Sequence, residues 1–233
     1  SVSITGTGMN ALEIGTVGGN GFAGILGEGL SQTITIGNVA QSGSLLIQGQ
    51  DTADNQVGIQ IGLFSGSGNQ TITVQDSITI IGGSHATGGF SVGNGAGINV
   101  VNGTQDITVG SGGITITGGN NSGFGFGNSA FISQRGAGFL QTITLNGGGD
   151  IVLTGGSGTV NNYGFIWGNG TGVDIQDGGS GSNITLNGGS VGTNNNAFIQ
   201  TFFPSTDGTE GTINIDIAGN LLINGSSDAG TTD

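Results

Sequence analysis

Cysteine is absent from the 233-residue chain, so it has neither a disulfide framework nor a thiolate metal site. Proline occurs once, at Pro204, and Lys plus Arg once, at Arg135. One fixed cation against 14 acids, a formal charge of −13, excludes a nucleic-acid partner, because phosphate recognition needs a basic surface. Long apolar runs are also missing, and none approaches the roughly 20 residues of a membrane-spanning helix. No charged start followed by an apolar stretch marks a signal peptide within these residues. What abounds is glycine, 55 residues. Collagen fails because glycine has no three-residue period. Disorder fails because Pro and Lys are scarce while Ile, Val and Thr are plentiful.

A short phrase returns along the chain: Thr33-Ile34-Thr35-Ile36, Thr71-Ile72-Thr73-Val74, Asp106-Ile107-Thr108-Val109, Thr142-Ile143-Thr144-Leu145, Asn183-Ile184-Thr185-Leu186 and Thr212-Ile213-Asn214-Ile215. Its leading Ile falls at 34, 72, 107, 143, 184 and 213, a mean spacing of about 36 residues. Aliphatic and polar residues alternate within it, the period of a strand with one buried face. A second column pairs Val2/Ile4, Leu45/Ile47, Ile78/Ile80, Ile114/Ile116, Ile151/Leu153 and Leu221/Ile223, each followed two residues on by Gly. A third, more aromatic column reads Leu12/Ile14, Ile59/Ile61, Phe90/Val92, Phe124/Phe126 and Phe165/Trp167, with Ala197-Phe198-Ile199 continuing it in an open register. Further short apolar pieces are Ile98-Asn99-Val100, Phe131-Ile132 and Val173-Asp174-Ile175. On this alignment the unit opening at Asn183 lacks its second-column strand, which makes a weaker, shortened repeat around 183–211.

These columns predict an all-β chain, a right-handed parallel β-helix spanning 1–233 as a single β-solenoid of about six to seven repeats. One repeat cannot offset the ordering entropy of its own chain, whereas stacking pairs every strand above and below. The spacing is read as one wide coil per repeat. An antiparallel sandwich would also need Gly-rich turns, but it has no reason to repeat one three-strand phrase. The chain starts and ends mid-repeat, in the second column. The expectation is therefore end-to-end self-association, or continuation of a longer array, through an open sheet edge.

The phrases Asp106-Ile-Thr-Val-Gly…Gly113-Ile-Thr-Ile-Thr-Gly-Gly and Thr142-Ile-Thr-Leu-Asn-Gly-Gly-Gly…Ile151-Val-Leu-Thr-Gly-Gly resemble bacterial filamentous-haemagglutinin-like, β-strand-repeat exoproteins. The resemblance lies in composition and repeat grammar and covers almost the whole chain. It implies a secreted, cell-surface β-helix with an adhesive, biofilm or structural role, and it carries over no binding residue.

No catalytic, cofactor-binding or metal-ligating set emerges, and the chain is read as no enzyme. The closest acid pairs are Asp51/Asp54, Asp174/Asp177 and Asp207/Glu210, which read as solvated turn residues. Arg135 reads as a surface charge near a turn, and His85 sits in a loop with no second His for a metal site or triad. Gly178-Gly-Ser-Gly-Ser-Asn183 resembles one calcium-binding β-roll nonapeptide, without tandem copies, so Ca2+ at acidic turns such as Asp174/Asp177 is a weak expectation. Thr35, Thr73, Thr108, Thr144 and Thr185, beside Thr33, Thr71, Asp106, Thr142 and Asn183, resemble the ladder of an ice-binding solenoid. Strand propensity alone accounts for exposed Thr, and Asp106 and Asn183 break the row. Glycosylation sequons stand at Asn69, Asn102, Asn120, Asn169, Asn183 and Asn224. The function expected is a non-enzymatic extracellular filament subunit or adhesin shaft. The alternative is a carbohydrate-active or glycan-binding β-helix, with surface glycans as partners.

Overall fold

The computed structural model describes residues 8–15, 21–27, 31–38, 40–49, 55–61, 67–84, 95–121, 128–158, 161–190, 192, 194–202 and 211–226. Among them there is no helix, and the strands follow in layers. The first three layers are β1 (Gly8–Gly15), β2 (Gly21–Gly27) and β3 (Ser31–Ile36); β4 (Gly43–Gln48), β5 (Asn55–Ile61) and β6 (Asn69–Val74); β7 (Ser77–Ile81), β8 (Ala96–Val100) and β9 (Gln105–Val109). The fourth holds β10 (Gly113–Thr117), β11 (Asn120–Asn121), β12 (Ala130–Gln134) and β13 (Leu140–Leu145). The fifth holds β14 (Ile151–Thr154), β15 (Ser157–Gly158), β16 (Gly164–Asn169) and β17 (Gly172–Gln176). β18 (Ile184–Asn187), β19 (Ala197–Phe202) and β20 (Thr212–Asp216) form the sixth, and β21 (Leu221–Asn224) follows.

Strands of successive layers pair in parallel. Sheet I runs β1-β4-β7-β10-β14-β18-β21, sheet II runs β2-β5-β8-β12-β16-β19, and sheet III runs β3-β6-β9-β13-β17-β20. The expected parallel β-solenoid is therefore what the chain forms, one wide coil of three principal strands per repeat. Six layers are separated by five steps, so the chain makes about five turns, slightly fewer than the six to seven repeats expected. At about 4.8 Å per step the six layers rise about 24 Å.

Isoleucine fills the interior because a β-branched side chain suits a pleated strand and packs on its own copy one layer away. Ile78/Ile80 of sheet I stack on Ile114/Ile116, and Ile72 of sheet III stacks on Ile107 and Ile34; all are 1 % exposed or less. Each such side chain contributes roughly 1.5–3 kcal/mol by leaving water.

The hydrogen-bond register corrects several column assignments. Ile184-Thr185-Leu186, expected with the Thr-Ile phrases, pairs in sheet I with Ile151 and Leu221. The fifth strand of sheet III is instead Val173-Asp174-Ile175, and Ile215 rather than Ile213 stands opposite Ile175. The unit at Asn183 thus keeps its second-column strand. Leu12/Ile14 belong to sheet I, opposite Leu45/Ile47. Ile98/Val100 and Ile132, taken as extra pieces, are the inward residues of sheet II in line with Ile59. In β16 it is Ile166 that faces in, while Phe165 and Trp167 face out. Val2/Ile4, Phe90/Val92 and Phe124/Phe126 lie outside the described residues.

Two glycines separate conformational need from crowding. Gly172 has φ +127, and a Cβ there would collide with the Thr212 carbonyl of the next layer, whereas Gly178 has φ +58 and open space. Gly178→Ala should lose about 1–2 kcal/mol, the cost of a left-handed residue. Gly172→Ala should lose clearly more, measured by thermal unfolding of both variants.

Candidate functional site

Sheet III carries a row of carboxamides into the core. Gln32, Gln70, Gln105 and Gln141 occupy the first inward position of β3, β6, β9 and β13, each buried. Gln70 Nε2 donates to Gln32 Oε1 (2.7 Å), Gln105 Nε2 to Gln70 Oε1 (2.9 Å) and Gln141 Nε2 to Gln105 Oε1 (2.6 Å). Two backbone carbonyls fix the direction of the row: Gln60 O accepts from Gln32 (3.4 Å) and Ser133 O from Gln105 (3.3 Å). The row stops where Val173 replaces glutamine, leaving Gln141 Oε1 buried without a donor. The sequence reading missed this row, although its signal was plain: Gln stands two residues before the Ile of four phrases.

A second polar row closes the corner between sheets I and II. The N–H of Asn128 donates to Asn162 Oδ1 (3.0 Å) and that of Asn162 to Asn195 Oδ1 (2.9 Å), all three residues being buried. Asn161 and Asn194, one residue earlier, both take φ 58, a conformation that Asn tolerates better than most side chains.

Asp177 stands one step beyond β17, at the place of Leu145 in the layer below. Its carboxylate is buried and accepts N–H bonds from Gly179 (2.7 Å), Gly181 (3.1 Å), Ser182 (2.8 Å) and Ala218 of the next layer (3.0 Å). The Ala218 bond leads in holding its pKa below the usual carboxylate value; desolvation opposes, and the Gly179, Ser182 and Gly181 bonds add to the lowering.

The same geometry shapes the segment that resembles a calcium loop. Within it the N–H groups of Gly179, Gly181 and Ser182 point at the Asp177 carboxylate, a nest of donors around an anion. Asn183 donates its N–H and Nδ2 to Asp150 Oδ1 (2.7 and 3.1 Å). Asp174 faces outward and accepts from Asn214 Nδ2 (2.7 Å), so the strand separates it from Asp177. Among the described residues no three His, Cys, Asp or Glu side chains gather as a metal site. His85, Asp51, Asp54, Asp207 and Glu210 lie outside the described residues.

Outward positions of sheet II hold an aromatic stack. Phe131, Phe165 and Phe198 are in register, with centroids 5.4 and 5.0 Å apart and planes 16° and 4° from parallel. Tyr163 meets Phe198 edge-on at 5.7 Å, and Trp167 lies against Phe165 at 6.3 Å. The phenylalanine faces that could stack on a sugar are turned toward one another, and Phe131 also lies over Gly97. Arg135, exposed at the end of β12, is held through its backbone: its N–H donates to Val100 O (2.8 Å) and its carbonyl accepts from Asn169 Nδ2 (2.8 Å).

The outer rows of sheet III read Thr33-Thr71-Asp106-Thr142-Asp174-Asn214 and Thr35-Thr73-Thr108-Thr144-Gln176-Asp216. Thr185 and Asn183, expected in this ladder, lie with sheet I instead. Sequon side chains are engaged internally at Asn69, whose Oδ1 accepts from the Thr104 N–H (3.1 Å), and at Asn169, Asn183 and Asn224, the last donating to Asn187 Oδ1 (2.8 Å). No family model, curated protein or solved structure matches the chain.

Two outcomes follow from the buried polar groups. Gln105→Leu orphans both Gln70 Oε1 and Gln141 Nε2, at about 1–3 kcal/mol each, whereas Gln141→Leu orphans only Gln105 Oε1. Denaturant unfolding should therefore rank Gln105→Leu as the less stable variant. Asp177 contributes stability that is fully present above its unfolded value of about 3.9 and is lost as pH falls through its depressed folded value. In Asp177→Asn this acid-dependent component should vanish, leaving a flatter stability–pH profile below pH about 4.

Proposed function

We propose that the chain is a non-enzymatic, extracellular structural solenoid, a length of filament or adhesin shaft that extends by adding strand layers to its axial edge. The observation that carries this reading is where the exposed apolar side chains gather. Of the six large apolar side chains exposed among the described residues, Leu26 and Leu140 stand apart, while Ile213 (44 %), Leu221 (49 %), Leu222 (51 %) and Ile223 (68 %) belong to β20 and β21, the outermost strands of sheets III and I. Leu221 and Ile223 continue columns whose lower members, Ile184 and Leu186, are buried. An unpaired strand edge with its apolar residues uncovered is a template for another strand. Covering those residues recovers roughly 1.5–3 kcal/mol each, whether the covering layer comes from a second copy or from continuing chain.

Supporting the extracellular setting are the near absence of Lys and Arg, which leaves little for trypsin-like proteases, and the resemblance to bacterial surface exoproteins. A glycan-contacting surface is the second reading, favoured by the outward Trp167, which stands beside the phenylalanine stack of sheet II and outside it.

Sedimentation velocity and negative-stain microscopy test the first reading. The chain should form rods that lengthen with concentration, while a Leu221→Asp/Ile223→Asp double variant should remain at the length of one copy. Single rods at every concentration, or polysaccharide cleavage by the purified chain, would overturn it.

A further inference from the structure

We propose that the outer edge of β21 captures an extended peptide strand of the pattern Asn-apolar-x-apolar-Asn, added in parallel to sheet I. This rests on the reading of that edge as a strand template, and it names the strand that fits. The apolar part of the pattern is set by Leu221 and Ile223, which stack on Ile184 and Leu186 and remain exposed. The amide part is set by two columns that flank them. In the first, Asn183 gives its N–H and Nδ2 to Asp150 Oδ1, and Asn220 gives its N–H (2.9 Å) and Nδ2 (3.3 Å) to Asn183 Oδ1. In the second, Asn224 Nδ2 donates to Asn187 Oδ1.

Both columns run in one sense: the residue of the later layer donates and that of the earlier layer accepts. Asn220 and Asn224 stand at the late end, exposed, so the Oδ1 of each is the next acceptor in line. Asn183 shows that one asparagine fills both roles at once, donating to Asp150 while accepting from Asn220. The backbone repeats the arrangement. Ile184 N–H donates to Asn220 O (2.8 Å) and Gly188 N–H to Asn224 O (2.9 Å), and Leu221 and Gly225 hold the corresponding N–H groups for a further layer. A covering strand with asparagine opposite Asn220 and Asn224 therefore meets acceptors for its amides and donors for its carbonyls at the same two places. Such main-chain pairing supplies affinity, and the side chains at fixed positions supply selectivity.

The same columns rank other strands lower. β1, the sheet I strand at the far end of the solenoid, reads Ala11-Leu12-Glu13-Ile14-Gly15 in this region. Its apolar spacing matches, but it has neither amide, and a second copy brings another charge of −13 to the edge. A short neutral strand with both asparagines avoids both penalties. Within the chain that pattern stands at Asn183-Ile184-Thr185-Leu186-Asn187, which supplies the probe.

The test titrates the full chain into a fluorophore-labelled peptide, Ser-Asn-Ile-Thr-Leu-Asn-Gly-Gly, copied from residues 182–189, and follows anisotropy. The control peptide has alanine in place of both asparagines. Losing one hydrogen bond at each end should weaken the control by about 5- to 100-fold. Against an Asn220→Ala/Asn224→Ala chain with unchanged circular dichroism the two peptides should bind alike. A Leu221→Asp/Ile223→Asp chain should bind neither, which separates this edge from the opposite end of the solenoid. Equal affinity of the two peptides for the native chain, selectivity that survives Asn220→Ala/Asn224→Ala, undiminished binding to Leu221→Asp/Ile223→Asp, or no binding at all would overturn the proposal. Sedimentation of the chain without peptide reports separately on growth by copies. Rods with no preference between the peptides remove the asparagine pattern alone, whereas single copies that still select the asparagine peptide remove growth by copies and leave strand capture standing.

Discussion

Every inward side chain of this molecule has its neighbours chosen for it. Parallel, in-register backbone pairing sets each residue directly above its equivalent in the previous turn, so a buried group meets a copy of itself wherever the repeat is kept. Isoleucine meets that demand trivially, because dry packing is symmetric. Glutamine meets it as well, since a carboxamide is both donor and acceptor and can bond to its own kind layer after layer. Asparagine meets it at the corner by capping the backbone of the adjacent turn. An acid cannot, for two stacked carboxylates repel. Asp177 is correspondingly single, and its charge is balanced by N–H groups from its own turn and from Ala218 above.

The same constraint explains where the interior changes character. Between the fourth and fifth layers, sheet III exchanges Gln141 for Val173 and Leu145 for Asp177. The first exchange leaves Gln141 Oε1 without a donor, and the second is compensated by N–H groups of the glycine-rich segment after β17 and of Ala218. Outside the core no such rule operates, and the faces diverge: hydroxyls and acids on sheet III, aromatic rings on sheet II, uncharged β-branched residues on sheet I.

Much of the fold was legible because apolar period two and a repeat near 36 residues are properties of the chain alone. Phase was harder. Gly172-Val173-Asp174-Ile175 lacks the threonines of its siblings, while Asn183-Ile184-Thr185-Leu186 has them in another sheet, and only hydrogen-bond register tells the two apart. Sheet II hid its orientation because Phe165, Ile166 and Trp167 are all apolar, so alternation cannot say which faces inward. The glutamine row was visible at a fixed place in four phrases but reads as solvent-facing until its burial is known. The nest around Asp177 had no local signal for Ala218, 41 residues away.

The carboxamides of Gln70, Gln105 and Gln141 all donate in the same sense, each toward the layer that precedes it. Their dipoles consequently add along the axis instead of cancelling. The solenoid is therefore electrically directional inside as well as in chain direction. The Gln32 end of the row delivers its last donor to a backbone carbonyl, and the Gln141 end finishes in a bare acceptor. Reversing a single amide would set oxygen against oxygen and nitrogen against nitrogen, so the row can invert only as a whole.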